Sequence, residues 1–261
     1  MDVIRSSSHP LVKLARAAGR GQAPGRVLLE GERLIEEAQR RDWSLEAVLV
    51  SADRPASAGA VSGAGAPVRR VEAGLLARIG TLVSPPGVIG IAREPAPRAL
   101  GSVPLDARAL LVVVAGVQDP GNLGGLARTA EAAGAAALVL LPGGCGPWNT
   151  KALRGSMGSL LRLPVVRGAS AAETASELAA RGVRLVRAAT RGGVPLPRFD
   201  WGGAVSLWIT AESGALAGSE ALEVPFEDVT IPMAAGVESL NVAAAAAILL
   251  FAAGRAGGRE A

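Results

Sequence analysis

The chain has a single cysteine, Cys145, and a single histidine, His9. One cysteine excludes an intramolecular disulfide and a metal site built from clustered thiolates. One histidine excludes a His-pair metal site, and it leaves a Ser-His-Asp triad open only if His9 serves it. That histidine sits in a polar segment, Ser6-Ser7-Ser8-His9-Pro10, which reads as solvent-facing. Tyrosine is absent and Phe occurs 3 times, so the core is expected to consist of Val, Leu, Ile and Ala. Lysine stands only at Lys13 and Lys151; the other basic residues are Arg. The N-terminus lacks the apolar stretch of a secretory signal. The alanine-rich run after Asn241 is too short and too close to polar residues for a membrane span. A cytoplasmic protein with no membrane partner and no metal is the expectation.

What is present is a chain of 261 residues, 49% hydrophobic, with a net charge of +4. That length and composition support a real core, in one large domain or two modest ones. The basic excess is modest and compatible with an anionic partner. A linker is expected at 94–104, where prolines and a glycine break any apolar periodicity. Before it, the pattern predicts a basic helix over 10–18 and an amphipathic helix over 31–41, with Leu34, Ile35 and Ala38 on its apolar face. Strands are predicted at 26–30, 45–50 and 87–93, a short helix at 75–79 and a Gly/Ala/Ser loop at 57–67. After the linker, apolar strands at 110–115, 137–141, 163–166, 183–188, 204–209 and 229–231 alternate with helices at 124–134, 149–157, 173–181 and 240–253. Uninterrupted apolar strands between helices predict an α/β domain with a parallel sheet covered on both faces. Ligands of such sheets bind beyond the carboxyl ends of the strands.

Four segments carry candidate chemistry. The first, 118–130, follows the strand at 110–115 and is a Gly-rich turn opening a helix, a place where backbone N–H groups meet anions. It lacks G-x-G-x-x-G, and no acid closes the next strand, which argues against a dinucleotide site. No Gly-Lys-Ser/Thr follows, so a P-loop is excluded as well. Asn122 and Arg128 remain, the arginine being an oxyanion or phosphate clamp or else a solvated surface residue. The second, 151–158, puts Lys151 and Arg154 one helical turn apart. The third and fourth are the turn 210–216 with Glu212, and the segment 231–251, where Glu238-Ser239-Leu240-Asn241 runs into an apolar helix. Polar residues at the mouth of such a helix need partners. A capped core helix, with Ser239 or Asn241 as the cap, reads the same segment without any chemistry.

Taken in order, these segments resemble the SpoU/TrmH family of RNA ribose 2′-O-methyltransferases, within the SPOUT class. Asn122-Leu123-Gly124 with Arg128-Thr129-Ala130 and Gly134 is similar to the family's first motif. The strand and turn with Glu212 resemble the second, and Ile231-Pro232-Met233, Gly236 and Glu238-Ser239-Leu240-Asn241-Val242 the third. The segment 151–158 also looks like the family. The likeness covers 110–253. Residues 1–95, through the Ser-His-Pro-Leu-Val-Lys opening and Leu29-Glu30-Gly31-Glu32-Arg33, are similar to the ribosomal-protein-like substrate-binding domain of many members. The methyltransferase domain is then 105–261.

The resemblance implies a trefoil-knotted α/β domain that binds S-adenosylmethionine, a homodimer, and RNA as substrate, with 23S ribosomal RNA ahead of tRNA. It implies that Arg128, Asn122, Glu212, Ser239 and Asn241 line the reacting centre. Leu207, Thr210, Ala211, Gly214, Ile231, Met233, Leu240 and Val242 would form the cofactor pocket. His9, Lys13, Arg16, Arg33, Lys151 and Arg154 are the residues expected to meet RNA. The chain departs from the family where Thr210, Ser213 and Ala215 replace the usual glycines and Ala243 a common serine, which also opens the reading of a catalytically inactive RNA-binding relative.

Overall fold

A computed structural model describes residues 2–54, 65–81, 86–210 and 224–256. In chain order its elements begin with α1 (Pro10–Gly19), β1 (Arg26–Glu30), α2 (Glu32–Arg40) and β2 (Leu45–Ser51). Next come β3 (Val68–Val71), α3 (Ala73–Ala77), β4 (Val88–Arg93), β5 (Leu110–Ala115), α4 (Pro120–Ala132) and β6 (Ala137–Leu140). Two short helices, α5 (Thr150–Gly155) and α6 (Ser159–Arg162), precede β7 (Val165–Arg167), α7 (Ala171–Ala180) and β8 (Arg184–Ala189). The series closes with β9 (Val194–Pro195), β10 (Val205–Thr210), β11 (Glu227–Thr230) and α8 (Val242–Ala256). Backbone contacts divide the chain into two compact units, Met1–Ala96 with Gly146–Arg162, and Pro97–Cys145 with Leu163–Ala261.

The first unit is built on a four-stranded sheet of order β1-β4-β2-β3, in which only β2 and β3 run parallel. Alternation along β1, β2 and β4 sends Leu28, Leu49, Ile89 and Ile91 into one core with Val12 and Ala15 of α1 and Leu75 of α3. Burial of aliphatic side chains of this size contributes about 1.5–3 kcal/mol each. On α2, Ile35 is fully buried, and a Cβ on Gly90 of β4 would come within 3.0 Å of its Cγ1. A bare backbone at Gly90 therefore sets how closely α2 packs. The excursion Gly146–Arg162 is fastened inside this unit at three places. Trp148 meets Trp43 edge-on at 5.0 Å and its Nε1 donates to Glu94 at 3.2 Å. Arg154 donates to Thr81 Oγ1 at 2.6 Å and lies 3.5 Å from the buried Glu30 carboxylate. Arg162 pairs at 3.3 Å with Glu37, which is itself buried.

The second unit holds a seven-stranded sheet of order β7-β6-β5-β10-β8-β11-β9, with every pairing parallel. This is the parallel α/β architecture expected from the uninterrupted apolar strands. Leu111, Val113, Val139, Leu185 and Trp208 fill one core with Ala175 and Leu178 of α7. Helices α4 and α8 pack on one another through small residues. A Cβ on Gly254 would meet the Ala133 carbonyl oxygen at 2.8 Å, and one on Gly125 would sit 3.8 Å from Ala243 Cβ. The strand order reverses direction between β5 and β10, a switch point of the kind where α/β sheets open a ligand crevice. β11 pairs with both β8 and β9, so residues 190–193 carry the chain across it. Among the described residues no helix is long and apolar enough to cross a membrane.

Sequence periodicity placed most elements within a residue or two. It did not find β3 or β9, which are too short to show alternation. The single helix expected over 149–157 ends at Gly155, and Met157 (φ 51°) with Gly158 (φ 91°) turns the chain into a second helix.

Candidate active site

The sheet, α4 and α8 bring the first and third motifs together. Asp119 caps α4, its Oδ1 accepting the Asn122 amide at 2.9 Å. At the head of α8, Asn241 Oδ1 accepts the amides of Ala243 at 2.9 Å and Ala244 at 3.3 Å. The same side chain then uses its Nδ2 to donate to Asn122 Oδ1 at 3.2 Å. Asn241 is thus both the helix cap and the link between segments 119 positions apart. Arg128 stands on α4, exposed, and among the described residues its guanidinium makes no hydrogen bond or ion pair.

A cavity of about 350 Å³ opens at the carboxyl ends of β8, β10 and β11. Ile209 and Thr210 of β10, Ile231, Met233 and Leu240 of the loop after β11, and Val242 of α8 are on its wall. Four of the expected pocket residues in that loop and helix, with Thr210, therefore surround one space. Ser239, expected at the reacting centre, also lines it. Leu207 does not. It is fully buried in β10, two positions before Ile209 on the same strand face, one pleat deeper than the wall. Ala211, Glu212, Ser213, Gly214 and Ala215 lie outside the described residues.

The wall also contains residues that the motifs did not identify. Residues 187–191, at and beyond the end of β8, contribute to it, as do Asp228 and Leu249. Arg187 donates from Nε and Nη2 to the two carboxylate oxygens of Asp228, each at 2.8 Å, across paired positions of β8 and β11. That bidentate hydrogen bond to Asp228 holds the Arg187 guanidinium above its ordinary pKa, against the opposing effect of burial. The only sequence signal for this wall is Gly192-Gly193 just past a strand end, which marks a tight turn but not its neighbours.

The residues expected to meet RNA are distributed over the first unit. His9 caps α1, its Nδ1 accepting the Leu11 amide at 3.2 Å. Lys13 is exposed on α1, Arg16 half-buried one turn on, and Arg33 exposed on α2. Lys151 is exposed on α5. Arg154 is half-buried on α5, donating to Thr81 Oγ1 and lying 3.5 Å from the Glu30 carboxylate.

The cavity suits an adenosyl ligand. Its volume is in the range of about 300–1,000 Å³ common to small-molecule sites. Ile209, Ile231, Leu240, Val242 and Leu249 offer an apolar slot for a purine, and the hydroxyls of Thr190, Thr210 and Ser239 offer polar partners. Among the described residues there is no group of three or more His, Cys, Asp or Glu able to hold a metal ion.

Fold and cavity together define a parallel α/β protein with a small-molecule site at the carboxyl ends of its strands. The sequence profile of the SpoU rRNA Methylase family matches residues 109–251, and that of the MRM3-like substrate binding domain matches residues 10–90. The chain belongs to the SpoU rRNA methylase family. It is 32% identical over 224 residues to the 23S rRNA (guanosine(2553)-2′-O)-methyltransferase RlmP of Bacillus subtilis, covering 86% of each chain. Its fold is similar to that of the AdoMet-bound rRNA methyltransferase from Sinorhizobium meliloti, with a TM-score of 0.86, 28% identity and 97% of each chain covered. AviRb from Streptomyces viridochromogenes, a SpoU methyltransferase solved with AdoMet, is similar with a TM-score of 0.83 and 27% identity, covering 95% of this chain and 97% of that one.

Proposed function

We propose that the protein transfers a methyl group to a ribose 2′-hydroxyl of 23S ribosomal RNA. One observation carries the reading. The cavity at the ends of β8, β10 and β11 is bounded by a loop whose last residue, Asn241, meets Asn122 on the helix that bears Arg128. The 23S rRNA substrate named for the B. subtilis relative supports the choice of RNA.

When bound, S-adenosylmethionine supplies a methyl group already activated on a sulfonium, so the protein has to orient the hydroxyl and manage its proton. The apolar wall holds the adenosyl part, and Ser239 offers a hydroxyl beside it. Arg128 stabilises the negative charge that develops on the 2′-oxygen. A guanidinium holds its proton tightly and is a poor base, so the proton leaves to solvent or to a neighbouring RNA phosphate. Asn122 and Asn241 fix the head of α4 against the loop, and the family likeness assigns Glu212 a part in the same reaction. His9, Lys13, Arg16, Arg33 and Lys151 meet the RNA backbone in the first unit. The trefoil knot is read from the family likeness together with the passage of 190–193 across β11.

The active species is a homodimer. Its support is an outward stripe on α8, where Ile248 and Phe251 are 42% and 46% exposed. Tritiated methyl transfer to separated ribosomal and transfer RNA from a strain lacking the gene tests the substrate. Label in 23S rRNA is the expected result; label confined to tRNA would overturn the choice of RNA, and none in any RNA would favour an inactive relative.

A further inference from the structure

Residues 190–193, Thr-Arg-Gly-Gly, form the turn that crosses β11 between β8 and β9. Both glycines are dictated by that path. Gly192 has φ 81°, in the left-handed region. A Cβ on Gly193 would lie 2.7 Å from the Asp228 carbonyl oxygen, closer than any side chain tolerates. The Gly193 amide donates to Thr230 Oγ1 at 3.1 Å, and Ala189, on the other side of the turn, is paired in register with the same Thr230. Arg191 is therefore bracketed by two attachments to one residue of β11. Its backbone is held in place before any ligand arrives.

The charges on the cavity wall point the same way. Arg187, Arg191 and Asp228 are the charged residues there. Arg187 and Asp228 neutralise one another through their two hydrogen bonds. Arg191 is exposed, and among the described residues its guanidinium makes no hydrogen bond or ion pair. Among the described residues, the wall thus carries one uncompensated cation, on a turn attached at both ends.

We infer that Arg191 binds the carboxylate of the cofactor's amino-acid tail and so sets which way round the cofactor lies. The inference rests on the S-adenosylmethionine reading of the cavity. That ligand has two cationic centres, the sulfonium and the ammonium, and a single carboxylate. A guanidinium attracts only the last, and its planar fork matches a carboxylate with two parallel hydrogen bonds. The reversed pose would leave Arg191 facing the uncharged adenine and put the charged tail into the apolar slot.

Calorimetry with two ligands tests this. S-adenosylhomocysteine keeps the amino-acid tail; 5′-methylthioadenosine has the same adenosyl part without it. Arg191→Ala is expected to weaken S-adenosylhomocysteine binding roughly tenfold to a hundredfold, the effect of one charge-assisted contact, and to leave 5′-methylthioadenosine within about twofold of the unaltered protein. Retained 5′-methylthioadenosine binding also reports an intact fold. Equal losses for both ligands, or no loss for either, would overturn the assignment of Arg191 while leaving the cavity's occupant in place. Failure of the unaltered protein to bind either ligand would instead overturn the cofactor reading, and this inference with it.

Discussion

Arg128 and Asn241, both proposed for the reacting centre, are held in opposite ways. The first is exposed and uncommitted among the described residues, as a group must be if it is to meet charge that develops on an incoming substrate. Arg128→Ala is expected to lower methyl transfer by about a hundredfold or more, the usual cost of removing one charge-stabilising donor. Cofactor affinity by calorimetry and the unfolding midpoint should stay unchanged. Asn241 is wholly committed, to two amides of α8 and to Asn122. Its replacement by alanine removes an N-cap, so a loss of about 1 kcal/mol is expected in urea unfolding. The two explanations offered by the sequence for 238–241, a helix cap and a reacting centre, are therefore compatible in one residue. The cap was legible because Asn before an apolar run is a helix start. The partner Asn122 was legible only through the family likeness, since nothing local to either residue announces the other.

Elements are held by approaches that only small residues permit and by ends that are chemically closed. Gly254→Ala would force a methyl against the Ala133 carbonyl, so α4 and α8 must move apart; a loss of about 1–3 kcal/mol is expected on thermal or urea unfolding. At the start of α7, Ser170 and Glu173 form a reciprocal capping box. The Ser170 amide, and then its hydroxyl, hold the Glu173 carboxyl below its ordinary pKa. A depressed folded-state pKa contributes stability that is present above the unfolded value and lost as pH falls through the folded value. Carboxyl NMR titration of Ser170→Ala should show Glu173 rising only part of the way back, because alanine removes the hydroxyl and keeps the amide. The long apolar strands were readable by period, because burial on both faces leaves no polar interruption. Gly146–Arg162 was not readable as part of the first unit. Glu37 looks like one more charge on the polar face of an amphipathic helix, yet it is 7% exposed because Arg162 returns to it from far along the chain. The cavity wall at 187–191 was hidden for a similar reason, since it is made by strand neighbours that are distant in sequence.

For the whole molecule, the parallel sheet was accessible from the uninterrupted apolar strands, the family and the cofactor class from three spaced motifs, and the choice of RNA remains the proposal that a substrate must test. Dimerisation is argued from the α8 stripe: Phe251→Glu should convert the protein to a monomer in light scattering, because a charge cannot be buried unpaired at an apolar interface. The most direct measurement of the central claim is chemical. RNA methylated in vitro with labelled S-adenosylmethionine would be digested to nucleosides, and the position of the label identified by chromatography, with Arg128→Ala run in parallel. The account predicts label only in a 2′-O-methylated nucleoside, and almost none with the variant. Label on a base, or undiminished transfer by Arg128→Ala, would contradict it.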